Sequence, residues 1–305
     1  MTDRLIELIK LKKNPTVVGL DPKLEFIPNY LLNEAKQKHE DIYCAAADAI
    51  FKFNCCLIDK LHDIIPAVKP QIAFYEQYGA PGIEAYINTL RYVKSKGLIT
   101  IGDVKRGDIA STAEAYADAH LGFVLGAPVF DSDFATINPY LGFDSVSPFI
   151  NACKKYDKGI FVLVKTSNPG AGDLQDINTD EGKVYEIVGR KVCEWGADSI
   201  GKNGYSRVCA VAGATYPHQI KKLRNEMPST FFLVPGYGAQ GGTSADVKQA
   251  FDAKGSGALI NNSRGIIAAY LLPQYKKKYN EKEFADAARE AAVAMRDDIA
   301  DGINA

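Results

Sequence analysis

The 305-residue sequence has no excess of charge of either sign, because 36 Lys and Arg stand against 37 Asp and Glu. A polyanionic partner is therefore not indicated. The one dense basic run, "YKKKY" at 275–279, adjoins a helical segment and has no interleaved aromatics, so neither nucleic acid nor an anionic membrane is expected as a partner. Long apolar runs are also missing: none reaches the roughly 18 residues of a membrane-spanning helix. The stretch "MTDRLIELIKLKKNP" mixes charge into a helical period and lacks the apolar core of a secretory signal. A soluble, cytoplasmic protein is the expectation. The four histidines (His39, His62, His120, His218) show no ligand spacing, and the six cysteines (Cys44, Cys55, Cys56, Cys153, Cys193, Cys209) contain no CxxC pair. Neither a metal site nor a disulfide framework is expected, and the cysteines read as reduced structural residues.

What the chain does have is rhythm. Short β-branched runs occur at 16–21 (TVVGLD), 66–75 (PAVKPQIAFY), 98–105 (LITIGDVK), 134–140 (FATINPY), 159–167 (GIFVLVKTS), 208–215 (VCAVAGAT), 230–238 (TFFLVPGYG) and 257–265 (GALINNSRG). Between them lie helix-compatible segments such as 82–97, 180–198 and 216–227. Near-continuous apolar strands alternating with helices imply a parallel sheet covered by helices, and eight such units favour a closed (β/α)₈ barrel over an open sheet. One barrel domain spanning 1–305 is expected, with an opening helix near 2–12 and a closing helix near 281–301.

Charge gathers at the strand ends. In "LITIGDVK", period-2 alternation puts Ile99, Ile101, Asp103 and Lys105 on one face, which must be the barrel interior. Asp103 and Lys105 then sit at the carboxyl end of the third strand, where barrel enzymes place their chemistry. Gly107 permits a turn and Asp108 is expected to begin a helix carrying Thr112, with Ser111 and Glu114 spaced as a capping box. Strand one ends in Asp21 and strand two carries Lys69. Burying these groups separately would be costly, whereas an alternating Lys and Asp chain lets each satisfy its neighbours. On the far side, the glycine-rich "VPGYGAQGGT" follows strand seven, and Arg264 with Gly265 follows strand eight. Those loops are where this fold holds phosphate, and arginine is a bidentate partner for it.

The combination of Lys69, Asp103-x-Lys105-x-x-Asp108-Ile109, "KTSNPGA", "PGYGAQGG" and "SRG" resembles the orotidine 5'-phosphate decarboxylase family in its longer bacterial form. The resemblance touches every strand except four and six. It implies a TIM barrel acting on orotidine 5'-phosphate without cofactor or metal, releasing UMP as the last step of pyrimidine synthesis, and working as a homodimer. Position by position, it implies that Asp21 and Lys69 hold ribose hydroxyls, Asp103 faces the substrate carboxylate, and Lys105 faces the carbon that loses it. Asp108, Ile109 and Thr112 would enter from the other subunit. Ser167 would bond the pyrimidine edge, while Pro235, Gln240, Arg264 and Gly265 would line the phosphate site. Gln71, two residues past Lys69 on the same face, joins the candidates on position alone. Tyr237, Asn168 and Ser263 depart from commoner forms of the motifs. Two rival readings have chemical content. A Schiff-base aldolase would want a neutral lysine, whereas Lys105 has carboxylates on both sides; a phosphate-binding barrel without catalysis would have no use for the charged chain.

Overall fold

A computed structural model describes residues 1–238 and 241–304. Eight parallel strands close on themselves in chain order: β1 (Thr16–Leu20), β2 (Ala67–Pro70), β3 (Ile99–Arg106), β4 (Phe134–Ile137), β5 (Gly159–Lys165), β6 (Val208–Ala212), β7 (Phe232–Val234) and β8 (Ala258–Asn262), with β8 pairing back onto β1. This is the (β/α)₈ barrel expected from the strand rhythm. The strands are shorter than the apolar runs because the runs continue into the loops at the barrel mouth; residues Ala73–Glu76, for example, form a helical turn.

Two apolar layers follow from the alternation. Val17, Ala67, Ile99, Phe134, Phe161 and Leu259 point inward and pack in one cluster, with Phe134 and Phe161 rings 5.1 Å apart. Their sequence neighbours, such as Val18, Val68 and Ile160, point outward against the helices. The opening helix, α1 (Thr2–Lys12), adds Leu5 and Ile6 to the inward cluster and so plugs the amino-terminal end of the barrel. Both ends of the sheet cannot be plugged if a ligand is to enter. The carboxyl-terminal end is the one left open.

The outer ring contains α2 (Asn29–Lys38), α3 (Ile42–Leu61), α4 (Gly79–Ser95), α5 (Ala110–Leu121), α6 (Phe143–Tyr156), α7 (Val184–Gly196), α8 (Pro217–Glu226) and the closing α9 (Phe284–Asn304). Helix α3 begins where Asp41 accepts hydrogen bonds from the amides of Tyr43 and Cys44, the usual N-cap arrangement. The start of α5 differs from the sequence expectation. It begins at Ala110, not Asp108; Ile109 occupies the cap position with no side-chain bond, and Ser111 lies inside the first turn, so the Ser111 and Glu114 capping box does not form. Ala110, the first residue of the helix, takes a left-handed φ of 48°, so the chain turns sharply where the helix starts. A two-stranded hairpin, Asn178–Thr179 with Gly182–Lys183, is an addition the strand rhythm did not anticipate. No described helix is long and apolar enough to cross a membrane, and the six cysteines are unpaired.

Candidate active site

The open mouth contains a cavity of about 670 Å³ whose lining includes Asp21, Lys69, Asp103 and Lys105 from the ends of the first three strands. Lys69 Nζ lies 2.6 Å from Asp103 Oδ2, and Lys105 Nζ lies 2.5 Å from Asp103 Oδ1. Asp21 Oδ1 stands 4.0 Å from Lys69 Nζ. Asp21, Lys69, Asp103 and Lys105 therefore form the alternating chain expected from the sequence, but Asp108, expected to join it, does not. Its members differ in exposure: the side chains of Lys69 and Asp103 are only 6% and 8% exposed, whereas Lys105 is 45% exposed.

Burial alone would raise the pKa of Asp103. The Lys69 and Lys105 ammonium groups and the hydrogen bonds they donate outweigh it, so the carboxyl is held well below the ordinary carboxylate range. Burial likewise works against the Lys69 ammonium, and Asp103 with Asp21 more than restores it. The result is a fixed, ionised array within a low-dielectric wall, a setting in which charges act strongly on whatever charge develops beside them.

Lys105 does not reach the mouth by simple alternation. Between Gly102 and Arg106 the register of β3 against β4 shifts, and Lys105 adopts φ 46°. Thr136 of β4 stands at this break. Its Oγ1 lies 2.9 Å from the amides of both Val104 and Lys105 and 3.0 Å from Asp103 Oδ1. The sequence reading did not single out Thr136, because one threonine within an apolar strand has no distinguishing pattern.

The opposite wall comes from the later strands. Ser167 lines the cavity after β5, and its backbone crowds Gly213 of the β6 end so closely that a Cβ there would stand 2.8 Å from Ser167 Cα. Pro235, Tyr237 and Arg264 complete this side. Gly236 and Gly238 take φ of 106° and 70°, which explains why the loop after β7 is written in glycine. Tyr237, a departure from the commoner motif, donates from its hydroxyl to Asp298 Oδ2 at 2.5 Å and so ties that loop to α9. Ser263 and Asn261 from the end of β8 fill the space left by Gly19, where a Cβ would lie 1.9 Å from Ser263 Oγ. Asn261 was also missed, although an asparagine inside a core strand is a readable signal. The Oδ1 atoms of Asn261 and Asp21 are buried with no donor among the described residues, and both residues line the cavity.

Of the other residues singled out in the sequence, Asn168 lines the cavity and the remaining described ones do not. Asp108, Ile109 and Thr112 do not line the cavity of their own chain; Asp108 Oδ1 accepts from the Ile109 amide, and Ile109 is 52% exposed. Gln71 bridges to Asp103 through its backbone, but its side chain folds back to accept from the Ala73 amide at 3.5 Å. The Gly265 amide donates to Asn262 Oδ1 at 3.1 Å, and a Cβ at that glycine would lie 2.7 Å from the same atom. Asn168 accepts from the Thr166 hydroxyl. Gln240 falls outside the described residues. Among the described residues, no group of three or more His, Cys, Asp or Glu is gathered to hold a metal.

Chemically, the cavity pairs a dense ionic array at one wall with a glycine loop and an arginine at the other. Comparison with known proteins shows the family. A model of the orotidine 5'-phosphate decarboxylase / HUMPS family matches residues 17–277. The sequence is 45% identical over 299 residues to the orotidine 5'-phosphate decarboxylase of Petrotoga mobilis, covering 97% of each chain. It is 44% identical over 285 residues to the one from Rhodopirellula baltica, covering 93% of each. Among solved structures it is similar to the OMP decarboxylase of Leishmania donovani, with a TM-score of 0.71 and 32% identity over 97% of this chain and 98% of that one.

Proposed function

The chain belongs to the orotidine 5'-phosphate decarboxylase / HUMPS family, and on that premise we propose that it converts orotidine 5'-phosphate to UMP, the closing step of pyrimidine synthesis, with no cofactor. One observation carries the reading: the buried Lys69 and Asp103 pair, with the half-exposed Lys105 bound to it, faces a cavity whose other wall has Arg264 and the glycine loop. The phosphate binds at that far wall, with Pro235 and Gly265 beside Arg264; Gln240, outside the described residues, joins them on the family resemblance alone. The ribose hydroxyls satisfy the vacant acceptor on Asp21 and contact Lys69, and Ser167 takes the pyrimidine edge.

The reacting bond joins C6 of the pyrimidine to its carboxylate. As it breaks, CO₂ departs and the electron pair stays on C6 in the ring plane, orthogonal to the π system. No resonance sink is available to it. Stabilisation must be electrostatic, and the Lys105 ammonium supplies it. One N–H proton of Lys105 then passes to C6, and the neutral amine regains a proton from solvent, so the sum is substrate plus one proton giving UMP and CO₂. Asp103, 2.5 Å from the Lys105 ammonium, holds that group in place until the transfer.

The half-exposed side of Lys105 is completed by a second copy, which contributes Asp108, Ile109 and Thr112 across a homodimer interface. Exposed apolar side chains that follow β4 at the same end of the barrel, Tyr140, Leu141 and Phe143, are material such an interface would cover. The test of function is the ultraviolet absorbance of orotidine 5'-phosphate in EDTA: it falls with enzyme present and continues to fall at the same rate in chelator. Absence of turnover, or turnover that requires added magnesium, would remove the reading in favour of the phosphosugar branch of the family.

A further inference from the structure

We propose that Thr136 is a positioning residue of this site: its hydroxyl pins the break in β3 that aims the Lys105 ammonium. The inference deepens the role given to Lys105 above and rests on it. The donor and acceptor count is complete. A threonine hydroxyl has one proton and two lone pairs. The Val104 and Lys105 amides, each 2.9 Å from Thr136 Oγ1, occupy both lone pairs. The single proton is then committed to Asp103 Oδ1, 3.0 Å away. No rotation of the hydroxyl is left free, and Thr136 is 1% exposed, so water does not compete for it.

The backbone explains why such a pin is needed. Gly102 pairs with Ala135 and Arg106 pairs with Ile137, so β3 advances four residues while β4 advances two, and two residues of β3 are surplus to the ladder. The surplus lies beside Lys105, whose φ of 46° is a conformation that L residues avoid. A segment like this persists only where its surroundings over-determine it. Thr136 supplies two of those constraints, one on each surplus amide, and a third on the carboxylate to which Lys105 is bound. One hydroxyl therefore sets both the backbone from which the Lys105 side chain departs and the anion toward which it points. Valine has the same shape but no hydroxyl, whereas serine keeps the hydroxyl and loses only the methyl group that stiffens χ1.

The experiment compares Thr136→Val and Thr136→Ser with the wild-type chain. In Thr136→Val, kcat falls about 10- to 100-fold while KM stays within about three-fold, because small misplacements at the reacting centre cost rate more than remote binding. In Thr136→Ser, kcat stays within about three-fold of wild type. A valine variant with wild-type kcat, or a serine variant that falls as far as valine, overturns the proposal, as does a loss confined to KM. Amide hydrogen exchange supplies a readout independent of activity: Val104 and Lys105 are protected in the wild-type and serine chains and lose protection with valine. Wild-type exchange of these two amides at loop rates overturns the pin even if valine prevents folding. A wild-type chain that does not decarboxylate but protects both amides would instead remove the functional reading and leave the pin standing.

Discussion

Replacing Asp103 by asparagine keeps the shape of the side chain and removes the charge on which two ammonium groups depend. In the wild-type chain, Asp103 accepts from Lys69 at 2.6 Å, from Lys105 at 2.5 Å and from the Thr136 hydroxyl at 3.0 Å. Asparagine can still accept through one oxygen, but its amide nitrogen must then face a second donor. Lys105 is 45% exposed and can turn to water. Lys69 cannot, being 6% exposed with only Asp21 left at 4.0 Å. Stranding one member of a buried pair costs about 3–5 kcal/mol, so Asp103→Asn is expected to lose roughly that much stability at pH 7.

The pH dependence tests the cause. In the wild-type chain the folded pKa of Lys69 lies above its ordinary 10.5, so its contribution is fully present below pH 10.5 and is lost as pH rises through the folded value. In the variant, burial without Asp103 pulls the folded pKa below the unfolded one. The unfolded chain then binds more protons in the window between the two values, and stability rises with pH there. Urea midpoints at pH 7, 8, 9 and 10 should therefore climb in the variant relative to the wild-type chain, with turnover at least about 100-fold down throughout. A variant within about 1 kcal/mol of wild type at pH 7, with a parallel pH profile, would show that the array is not held by mutual neutralisation.

Three further outcomes are expected. Lys105→Ala loses at least about 1,000-fold in single-turnover decarboxylation, because charge and proton donor leave together, while UMP binding by calorimetry survives; wild-type turnover would end the assignment of Lys105. Chains with Lys105→Ala and Asp108→Ala, each inactive alone, rescue one another on co-refolding to about a quarter of wild-type activity, since half the dimers are mixed and one site in each is intact. Recovery near zero in confirmed mixed dimers would place both residues in one subunit. Burial, with Arg106 nearby, pushes His120 down to about 3, and the ring stacks on Phe130 at 4.6 Å. The wild-type chain thus loses about 3 kcal/mol on acidification from pH 6.5 to pH 4, where the unfolded histidine binds a proton that the folded one refuses, and His120→Phe shows a flatter acid limb in chemical denaturation.

The barrel was legible because its strands are buried on both faces. That condition leaves nearly unbroken apolar runs, and eight of them between helical segments admit few architectures. Asp21, Lys69 and Asp103 were legible for a related reason: a charge in phase with inward-facing residues has to find a partner inside. The start of α5 was not legible, because the local spacing of Ser111 and Glu114 imitates a cap, while the left-handed turn at Ala110, set by tertiary packing, decides where the helix begins. Thr136 was not legible because its importance arises from a register break between two strands, and its partners lie more than 30 residues upstream. Tyr237 was flagged only as a departure; its partner, Asp298, lies 61 residues further along the chain.

The exposure gradient along the charged array bears on the proposal that a second chain completes the site. Lys69 and Asp103 are sealed within the barrel, and their charges are balanced by each other and by Asp21. Lys105, the proposed proton donor, stands at the open end with the Asp103 carboxylate beside it. Were the array completed within one chain, a second carboxylate on Lys105 would have to come from the same mouth through which the substrate enters, and the two anions would contest one space. Asp108, at the tip of the turn after β3, is close to Lys105 in sequence yet outside its own cavity. The proposed delivery of the Asp108 carboxylate by a neighbouring subunit would resolve that conflict: it would reach Lys105 from the flank while the mouth stays free, and would exclude water from the face of the ammonium that one barrel leaves exposed. If that proposal holds, catalysis depends on association, and activity should fall on dilution below the dimer dissociation constant even where the barrel stays folded; activity unchanged across that dilution would overturn it.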